Sequence, residues 1–175
     1  MKKEIGRFER MYPNPAVLVS CSDGIRDNII TIAWAGTVCS NPPMISVSIR
    51  PSRYSHELIS ASKEFVINIP DSKLIAACDH CGTISGRECD KFKENKLSRQ
   101  TGSFLKTPMI KECPISIECS VKKIINLGSH DMFIGEVLAV HADESIIYSD
   151  GDIDYEKIDM LSHLMGYYFK NNIIK

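Results

Sequence analysis

Arginine and serine side chains cluster just after residue 49. Arg50, Ser52, Arg53 and Ser55 lie close together along the chain. Guanidinium groups, hydroxyls and the free N–H groups at the start of a helix together suit a phosphate dianion. The same residues also fit the first turn of an ordinary solvated helix, so this segment alone leaves both interpretations open.

Polar residues on either side of a tryptophan extend this candidate site. Asn28 and Thr31 precede Trp34, and the polar segment 38–41 follows it. Together they would line a groove beside the phosphate site, and a barrel mouth lined in this way commonly binds one flat ligand. Taken singly, Asn28 and Thr31 also fit turn and strand positions, and Trp34 is expected to be a core residue.

Seven cysteines form a second group, at positions 21, 39, 78, 81, 89, 113 and 119. An odd number of thiols without an export signal favours reduced cysteines over a disulfide framework. Cys78 and Cys81 have CxxC spacing but fall at the C-terminal end of a predicted helix, where the helix dipole disfavours a reactive thiolate. No second pair repeats a zinc-ligand spacing, so no metal site is predicted. A non-enzymatic thiol or zinc-binding module remains the alternative class of protein.

One histidine occupies a position from which it can contact a ligand. His130 lies in a predicted turn, in the sequence Gly128-Ser-His-Asp, directly before a strand. An exposed imidazole there is free to meet a ligand, although an ordinary turn histidine fits the same position. The remaining histidines, at positions 56, 80, 141 and 163, show no triad or metal-ligand arrangement.

Apolar patterns predict the elements that position these residues. Two β-branched runs around a Ser-Asp-Gly turn signal predict a hairpin, and a strictly alternating run predicts a third strand. Gly82 is expected to end the second of two short helices, and the tail is expected to be helical. The predicted segments are strands 15–21, 28–35, 44–50, 64–69, 115–125 and 131–141; helices beginning near 52 and spanning 72–81; a polar surface excursion over 86–103 with one helical turn at 90–95; and the tail 150–175, with a helical set at Ile158, Leu161, Leu164, Met165 and Tyr168.

Length and composition fit one folded domain over residues 1–175. The chain is 43% apolar and 25% charged with a net charge of −1, and such a surface lacks the positive field that attracts nucleic acid. No apolar stretch reaches the roughly 20 residues that cross a bilayer, and no signal-peptide core follows the N-terminus, so we expect a cytoplasmic protein without a membrane partner. Neither a Rossmann turn nor a P-loop motif occurs. Short strands without crossover helices favour a mainly β, antiparallel barrel.

The order and spacing of these segments resemble the flavin-reductase-like, FMN-binding split-barrel family, in its flavoredoxin and ferric-reductase-like branch. The resemblance extends from Pro13 to about Lys170. Each block alone is a weak signal, but their succession is specific. The blocks are Pro15-Ala-Val-Leu-Val-Ser, Asn28-Ile-Ile-Thr-Ile-Ala-Trp-Ala, Ser40-Asn-Pro-Pro-Met-Ile-Ser-Val-Ser-Ile, Arg53-Tyr-Ser-His-Glu-Leu-Ile, Glu64-Phe-Val-Ile-Asn-Ile-Pro, Cys81-Gly, Ser85-Gly-Arg-Glu-Cys-Asp-Lys-Phe and Gly128-Ser-His-Asp-Met-Phe-Ile-Gly-Glu-Val.

The resemblance implies a homodimer of Greek-key split barrels with a few short helices, which binds FMN non-covalently near the dimer interface. His130 would orient the nicotinamide of a reductant for hydride transfer to the flavin. The implied FMN contacts are Asn28, Ile30 and Thr31 at the flavin and ribityl edge, with Trp34 close by; Cys39, Ser40 and Asn41 at the isoalloxazine; Ser48, Arg50, Arg53 and Ser55 at the phosphate; and Lys91, which also reaches the cofactor.

Two functions follow from this resemblance. The first is an oxidoreductase that passes electrons from NADH or NADPH through bound FMN to free flavin, ferric complexes or a partner protein. The alternative is a flavoredoxin-like electron carrier that NAD(P)H does not reduce directly. No motif in the sequence separates the two.

Overall fold

The computed structural model describes residues 1–9 and 11–171, which form twelve strands and three short α-helices. No helix in this part of the chain is long and apolar enough to span a membrane. The strands are β1 (Asn14–Pro15), β2 (Val17–Ser22), β3 (Asp27–Ile32), β4 (Ala35–Ser40), β5 (Pro43–Ile49), β6 (Glu64–Ile69), β7 (Arg99–Gln100), β8 (Met109–Ile110), β9 (Ile115–Asn126), β10 (Asp131–Ala142), β11 (Leu161–Leu164) and β12 (Tyr167–Lys170). The helices are α1 (Tyr54–Ser62), α2 (Ile75–Thr83) and α3 (Lys91–Glu94), with 3₁₀ turns at Ser72–Leu74, Glu144–Ile146 and Tyr155–Lys157.

Seven strands form the main sheet, in the order β3-β2-β6-β9-β10-β5-β4. Every pairing in this sheet is antiparallel, as short connections between successive strands allow. β3 and β5 are not paired in the sheet, yet they contact each other and line one cavity. The sheet therefore curls into a split barrel with a seam between β3 and β5, and the predicted fold class is confirmed.

β2 packs apolar side chains on both of its faces. Successive residues of a strand face opposite sides, so Val17 and Val19 pack inside the barrel with Phe65 and Phe133, whereas Leu18 packs with residues of α2 and α3. A strand that is buried on both faces is apolar throughout. This explains why the segment shows a continuous apolar run and no alternation.

A fully buried carboxylate, Glu118 on β9, ties a loop to the barrel wall. Its Oε1 accepts hydrogen bonds from the backbone N–H of Ser103 and lies 2.7 Å from His141 Nε2, while its Oε2 accepts from the N–H groups of Phe104 and Leu105. Burial acts to raise the pKa of Glu118, but the hydrogen bonds from His141 and the backbone outweigh it and lower the pKa. The chain itself therefore stabilises the charged form.

The strand predictions are confirmed, with small shifts at the ends. The six predicted strands correspond to β2, β3, β5, β6, β9 and β10, the helix near residue 52 is α1, and the helical turn in the excursion is α3. β4 is an additional strand in the segment that the sequence presents only as a polar stretch. β4 lies at the edge of the sheet and is mostly exposed. Its sequence therefore lacks the apolar alternation that predicts a half-buried strand.

The predicted helix in the tail is wrong. β11 and β12 form a hairpin there, and Met165 and Gly166 in its turn have positive φ angles of 49° and 88°. Glycine adopts this left-handed conformation without steric cost, so the chain reverses at this point and pairs with itself. Residues 172–175 of the predicted tail lie outside the described residues.

Two further predictions need correction. α2 continues through Gly82 to Thr83, so Gly82 does not end the helix. The missing side chain instead lets α2 approach β3, since a Cβ on Gly82 would lie 3.4 Å from Cβ of Thr31. The excursion is also not wholly at the surface, because Lys91 and Phe92 are buried.

Candidate functional site

Three adjoining cavities lie along the seam between β3 and β5. The first, of about 200 Å³, lies beside the start of α1; the second, of about 190 Å³, lies between Thr31 and Ser48; the third is an apolar cleft of about 780 Å³ beside Trp34. The first and second share Ile30 and Arg53, and the second and third share Trp34 and Ser48. We call them the anion chamber, the central chamber and the apolar cleft.

In the anion chamber, Asn28 of β3 meets Ser55 of α1. Asn28 Nδ2 donates a hydrogen bond to Ser55 Oγ at 2.8 Å, and both side chains are buried. No donor in the described part of the chain reaches the buried Oδ1 of Asn28. Gly86 packs directly against this atom, because a Cβ there would lie 1.9 Å from Oδ1. Buried carbonyl oxygens usually have a partner, so Oδ1 fits a hydroxyl group supplied from the chamber.

Lys91 supplies a buried positive charge to the same chamber. α3 begins after Asp90, whose carboxylate accepts hydrogen bonds from the backbone at the helix start. This places the Lys91 side chain inward, where Nζ donates to the carbonyl oxygens of Ile29 and Cys81, each at 2.8 Å. Both acceptors are neutral, an ammonium has three N–H donors, and burial lowers the pKa of Lys91. A phosphate in the chamber fits as the counter-ion.

Two arginines stand at the exposed side of the seam. Arg53 is the N-cap residue of α1 and lines both the anion and the central chamber, while Arg50 directly follows β5 and lines the central chamber. The helix start adds free backbone N–H groups, which favour anions. Positive groups therefore flank the anion chamber at its mouth and, through Lys91, at its buried end.

The central chamber is bordered by two aromatic rings. The His130 ring, at the tip of the β9–β10 hairpin, lies 4.5 Å from the Trp34 ring, at an angle of 44° between the ring planes. Burial, followed by the nearby charge of Arg50, lowers the pKa of His130 and favours the neutral imidazole at pH 7. Trp34 is 40% exposed, so the expectation of a core tryptophan is wrong. Its ring is available at the junction with the apolar cleft.

The apolar cleft lies beyond Trp34, against the edge of the sheet. It is lined by Val38 of β4, by Met132 of β10, and by Phe8 and Met11 of the N-terminal segment. From the anion chamber to this cleft, the lining changes from charged and hydroxyl-bearing to apolar. The order matches that of a phosphate, a polyhydroxyl chain and a flat ring system, and thus the residues present fit FMN.

Most of the predicted site residues line these cavities. They are Asn28, Ile30, Thr31, Trp34, Ser48, Arg50, Arg53, Ser55, Lys91 and His130. Cys39, Ser40 and Asn41 lie instead at the end of β4 and in the turn that follows, beyond the lining residue Val38. Sequence reasoning missed Gly82 and Gly86 as lining residues, although both fall inside blocks that carry the family resemblance.

The thiols near the site are packing residues. Burial raises the pKa of Cys78 to about 12 and that of Cys81 to about 11, so neither forms a thiolate nucleophile at neutral pH. Over residues 1–9 and 11–171, no group of three or more His, Cys, Asp or Glu side chains is arranged to hold a metal ion.

Comparison with known proteins agrees with a split barrel whose cavities fit FMN. The flavin reductase like domain matches residues 8–157, and the chain therefore belongs to that family. It is similar to the flavoredoxin of Desulfovibrio vulgaris (Miyazaki F), with 34% identity, a TM-score of 0.93 and coverage of 100% of this chain and 96% of that one. The flavoredoxin of Methanosarcina acetivorans gives 30% identity and a TM-score of 0.89, over 99% of this chain and 94% of that one. An uncharacterized protein of Archaeoglobus fulgidus is 33% identical over 159 residues, which cover 89% of this chain and 88% of that protein.

Proposed function

We propose that the chain is a single FMN-binding domain, with the phosphate of FMN in the anion chamber and the ring system directed toward the apolar cleft. The observation that carries this proposal is the buried ammonium of Lys91, whose two acceptors are neutral carbonyl oxygens. Arg53, Ser55 and Lys91 would hold the phosphate, and Asn28 Oδ1 would accept a hydrogen bond from a ribityl hydroxyl. Arg50 and Ser48 line the adjoining central chamber and would reach the phosphate from that side.

FMN, when bound, would supply hydride and electron-transfer chemistry between NADH or NADPH and an acceptor. The chain's own residues bind and orient the reactants. His130 would position the nicotinamide beside Trp34, where the central chamber meets the apolar cleft and the flavin ring. The hydride step requires no proton from the imidazole, so His130 acts as an orienting residue and not as an acid or base. Cys39, Ser40 and Asn41 would approach the ring system from the end of β4.

We infer that this domain is an NAD(P)H-dependent flavin or ferric reductase. Its family membership supports this function, as does the aromatic pair of Trp34 and His130, against which a nicotinamide ring would stack. The acceptor would be free flavin, a ferric complex or a partner protein. The second candidate is an electron carrier that NAD(P)H does not reduce, and the likeness to two flavoredoxins favours it.

An anaerobic titration separates these functions. The purified protein is loaded with FMN, and NADH and then NADPH are added while the flavin absorbance band is followed. Stoichiometric FMN that bleaches rapidly with either nucleotide establishes the reductase. Bound FMN that bleaches only with dithionite establishes the carrier, and protein that takes up no FMN contradicts the whole proposal. His130→Ala serves as the matched variant, because it should slow bleaching by nucleotide far more than it weakens FMN binding.

The surface around the site supports a homodimer, and we propose that this homodimer is cytoplasmic. Trp34, at the border of the apolar cleft, is 40% exposed, and Val38, on the edge strand β4, is 49% exposed. Exposed apolar sheet edges are usually covered. A second copy of the chain would cover this edge and complete the FMN site. Light scattering on the FMN-loaded protein tests the proposal, with twice the chain mass of 19.6 kDa expected; a mass of one chain contradicts it.

A further inference from the structure

A carboxylate at the base of the β9–β10 turn joins two parts of the candidate site. Asp131 Oδ2 lies 2.8 Å from Nε2 of His56 in the first turn of α1, and Oδ1 accepts a hydrogen bond from Asn126 Nδ2 at 2.8 Å. The side chains of His56 and Asp131 are only 17% and 14% exposed. Because both oxygens are engaged, the carboxylate fixes the hairpin tip to the helix.

The two joined elements serve two adjoining chambers of the site. Arg53 is the N-cap residue of α1 and Ser55 lies in its first turn, and both residues line the anion chamber. The hairpin tip carries His130, which borders the central chamber and directly precedes Asp131. The hydrogen bond that His130 itself makes stays within the turn, with Ser129 Oγ at 2.9 Å. Backbone pairing of Asp131 with Ile49 joins β10 to β5, and the side-chain contact from the tip to α1 runs through Asp131.

Packing and charge fix the orientation of the His56 ring in this contact. The His56 ring meets Phe133 edge to face, with centroids 5.1 Å apart and an interplanar angle of 74°, and Phe133 is fully buried. The hydrogen bond from His56 is the main reason why the pKa of Asp131 is lowered, so the carboxylate is charged at neutral pH. An imidazole held by a core aromatic ring and a charged acceptor has one preferred orientation.

We propose that His56 and Asp131 form a positioning pair, which holds His130 over the central chamber at a fixed distance from the phosphate-binding turn of α1. This inference rests on the proposed function, because it gives the pair a role in reduction by NAD(P)H. A shift of about 1 Å in a positioning group can lower a rate by roughly a hundredfold. The phosphate contacts of α1 are made by other residues and would remain.

Variants at His56 separate this role from general stabilisation. His56→Phe keeps a ring against Phe133 and removes the hydrogen bond, whereas His56→Gln keeps an N–H donor. The matched control is Glu136→Gln, which breaks the 2.7 Å ion pair with Lys122 between the same two strands, β9 and β10. Asp131→Asn is the second variant, for the case in which His56→Phe folds poorly, and it should act in the same direction.

The limiting rate of FMN bleaching by NADH or NADPH is measured together with the Kd for FMN. His56→Phe should lower the rate by about ten- to a hundredfold and change the Kd by less than about threefold. His56→Gln should recover most of the rate, and Glu136→Gln should match the wild type. An unchanged rate in His56→Phe overturns the proposal, and so does a loss of FMN affinity that parallels the loss of rate.

An NMR titration of His130 provides a readout that does not require reduction. Burial and the charge of Arg50 lower the pKa of His130 in the wild type. In the FMN-loaded His56→Phe protein, the freed turn should expose His130 and move it away from Arg50, so its pKa should rise toward the ordinary value of 6.5. His56→Gln and Glu136→Gln should keep the wild-type titration. If neither nucleotide bleaches the wild type, the reductase function fails and this titration alone decides the positioning role. An unchanged His130 titration in His56→Phe overturns it in either case.

Discussion

Two buried polar centres on the same barrel differ in how completely the chain satisfies them. Glu118 has both oxygens occupied by three backbone N–H groups and by His141. Lys91 holds its ammonium against two neutral carbonyl oxygens, and among the described residues no donor reaches Oδ1 of Asn28. A charge that the chain itself stabilises serves the fold. A buried charge beside a cavity, without an ionic partner among its acceptors, points to an anionic ligand.

Changes at the arginines of the anion and central chambers should weaken FMN binding most strongly. With Arg50→Ala and Arg53→Ala combined, the Kd for FMN should rise about a hundredfold, because each charge-assisted hydrogen bond to the phosphate contributes about 1.5 kcal/mol or more. Isothermal titration checks this. Arg26→Ala combined with Lys122→Ala removes the same charge outside the three cavities and should leave the Kd unchanged. Equal losses in both double variants would show that only net charge matters.

Changes at Glu118 should lower the stability of the fold and leave the affinity for FMN unchanged. In Glu118→Gln an amide NH₂ faces donors that the carboxylate now satisfies, so the free energy of unfolding should fall by about 2 kcal/mol. Urea unfolding at pH 7 measures this loss, and Glu136→Gln on the neighbouring strand is the surface control. A weakened Kd for FMN in folded Glu118→Gln protein would contradict the separation of the two centres.

The pH dependence of stability gives a second test at Glu118. Because the pKa of Glu118 is lower in the folded protein than its ordinary value, its contribution is fully present above the unfolded value of about 4.3. It is lost as the pH falls from there through the lowered folded pKa. The wild type should therefore lose more stability than Glu118→Gln between pH 5 and the acid limit of folding. Parallel acid unfolding curves would be incompatible with this.

A neutral replacement at Lys91 sharpens the contrast. Lys91→Met keeps most of the length of the side chain and removes the charge, so the Kd for FMN should rise about tenfold through the loss of one charge-assisted contact. The FMN-free protein should keep its stability within about 1 kcal/mol, because the cost of burying the ammonium disappears together with its hydrogen bonds. A strong loss of stability with an unchanged Kd would assign Lys91 to the fold instead.

The smallest effect is expected at the thiols. Cys78→Ala should lower the free energy of unfolding by about 1 kcal/mol through loss of packing, with no change in FMN affinity or in the rate of bleaching. Titration of thiols in the native and unfolded protein accompanies the kinetics. Loss of flavin reduction in this variant would revive the alternative of a thiol-based function.

The sequence predicts the barrel better than its edges. The alternating run of β5 and the paired long runs of β9 and β10 carry local signals that tertiary contacts reinforce. The edge strand β4 includes Gly36 and Thr37 and lacks such a pattern. In the tail, the spacing of Leu161, Leu164 and Tyr168 suits a helix as well as two strands, and the turn at Met165 and Gly166 decides between them.

The residues of the candidate site also differ in how well the sequence predicts them. Arg50, Arg53 and Ser55 follow from their chemistry and their place at the start of a helix, and the structure brings them to one seam. Lys91 lies in a polar stretch that local pattern assigns to the surface, so only the family resemblance points to it. The contact between His56 and Asp131 joins residues far apart in sequence, and no single-sequence signal reports such a contact.

The central claim, that the anion chamber holds the phosphate of FMN, is tested most directly by comparing two ligands on the wild-type protein. FMN and riboflavin share the ring system and the ribityl chain and differ only in the phosphate. Parallel anaerobic titrations should give a Kd for FMN at least about a hundredfold lower than that for riboflavin, as expected for several charge-assisted contacts. Equal affinities for the two ligands would contradict the assignment of the chamber.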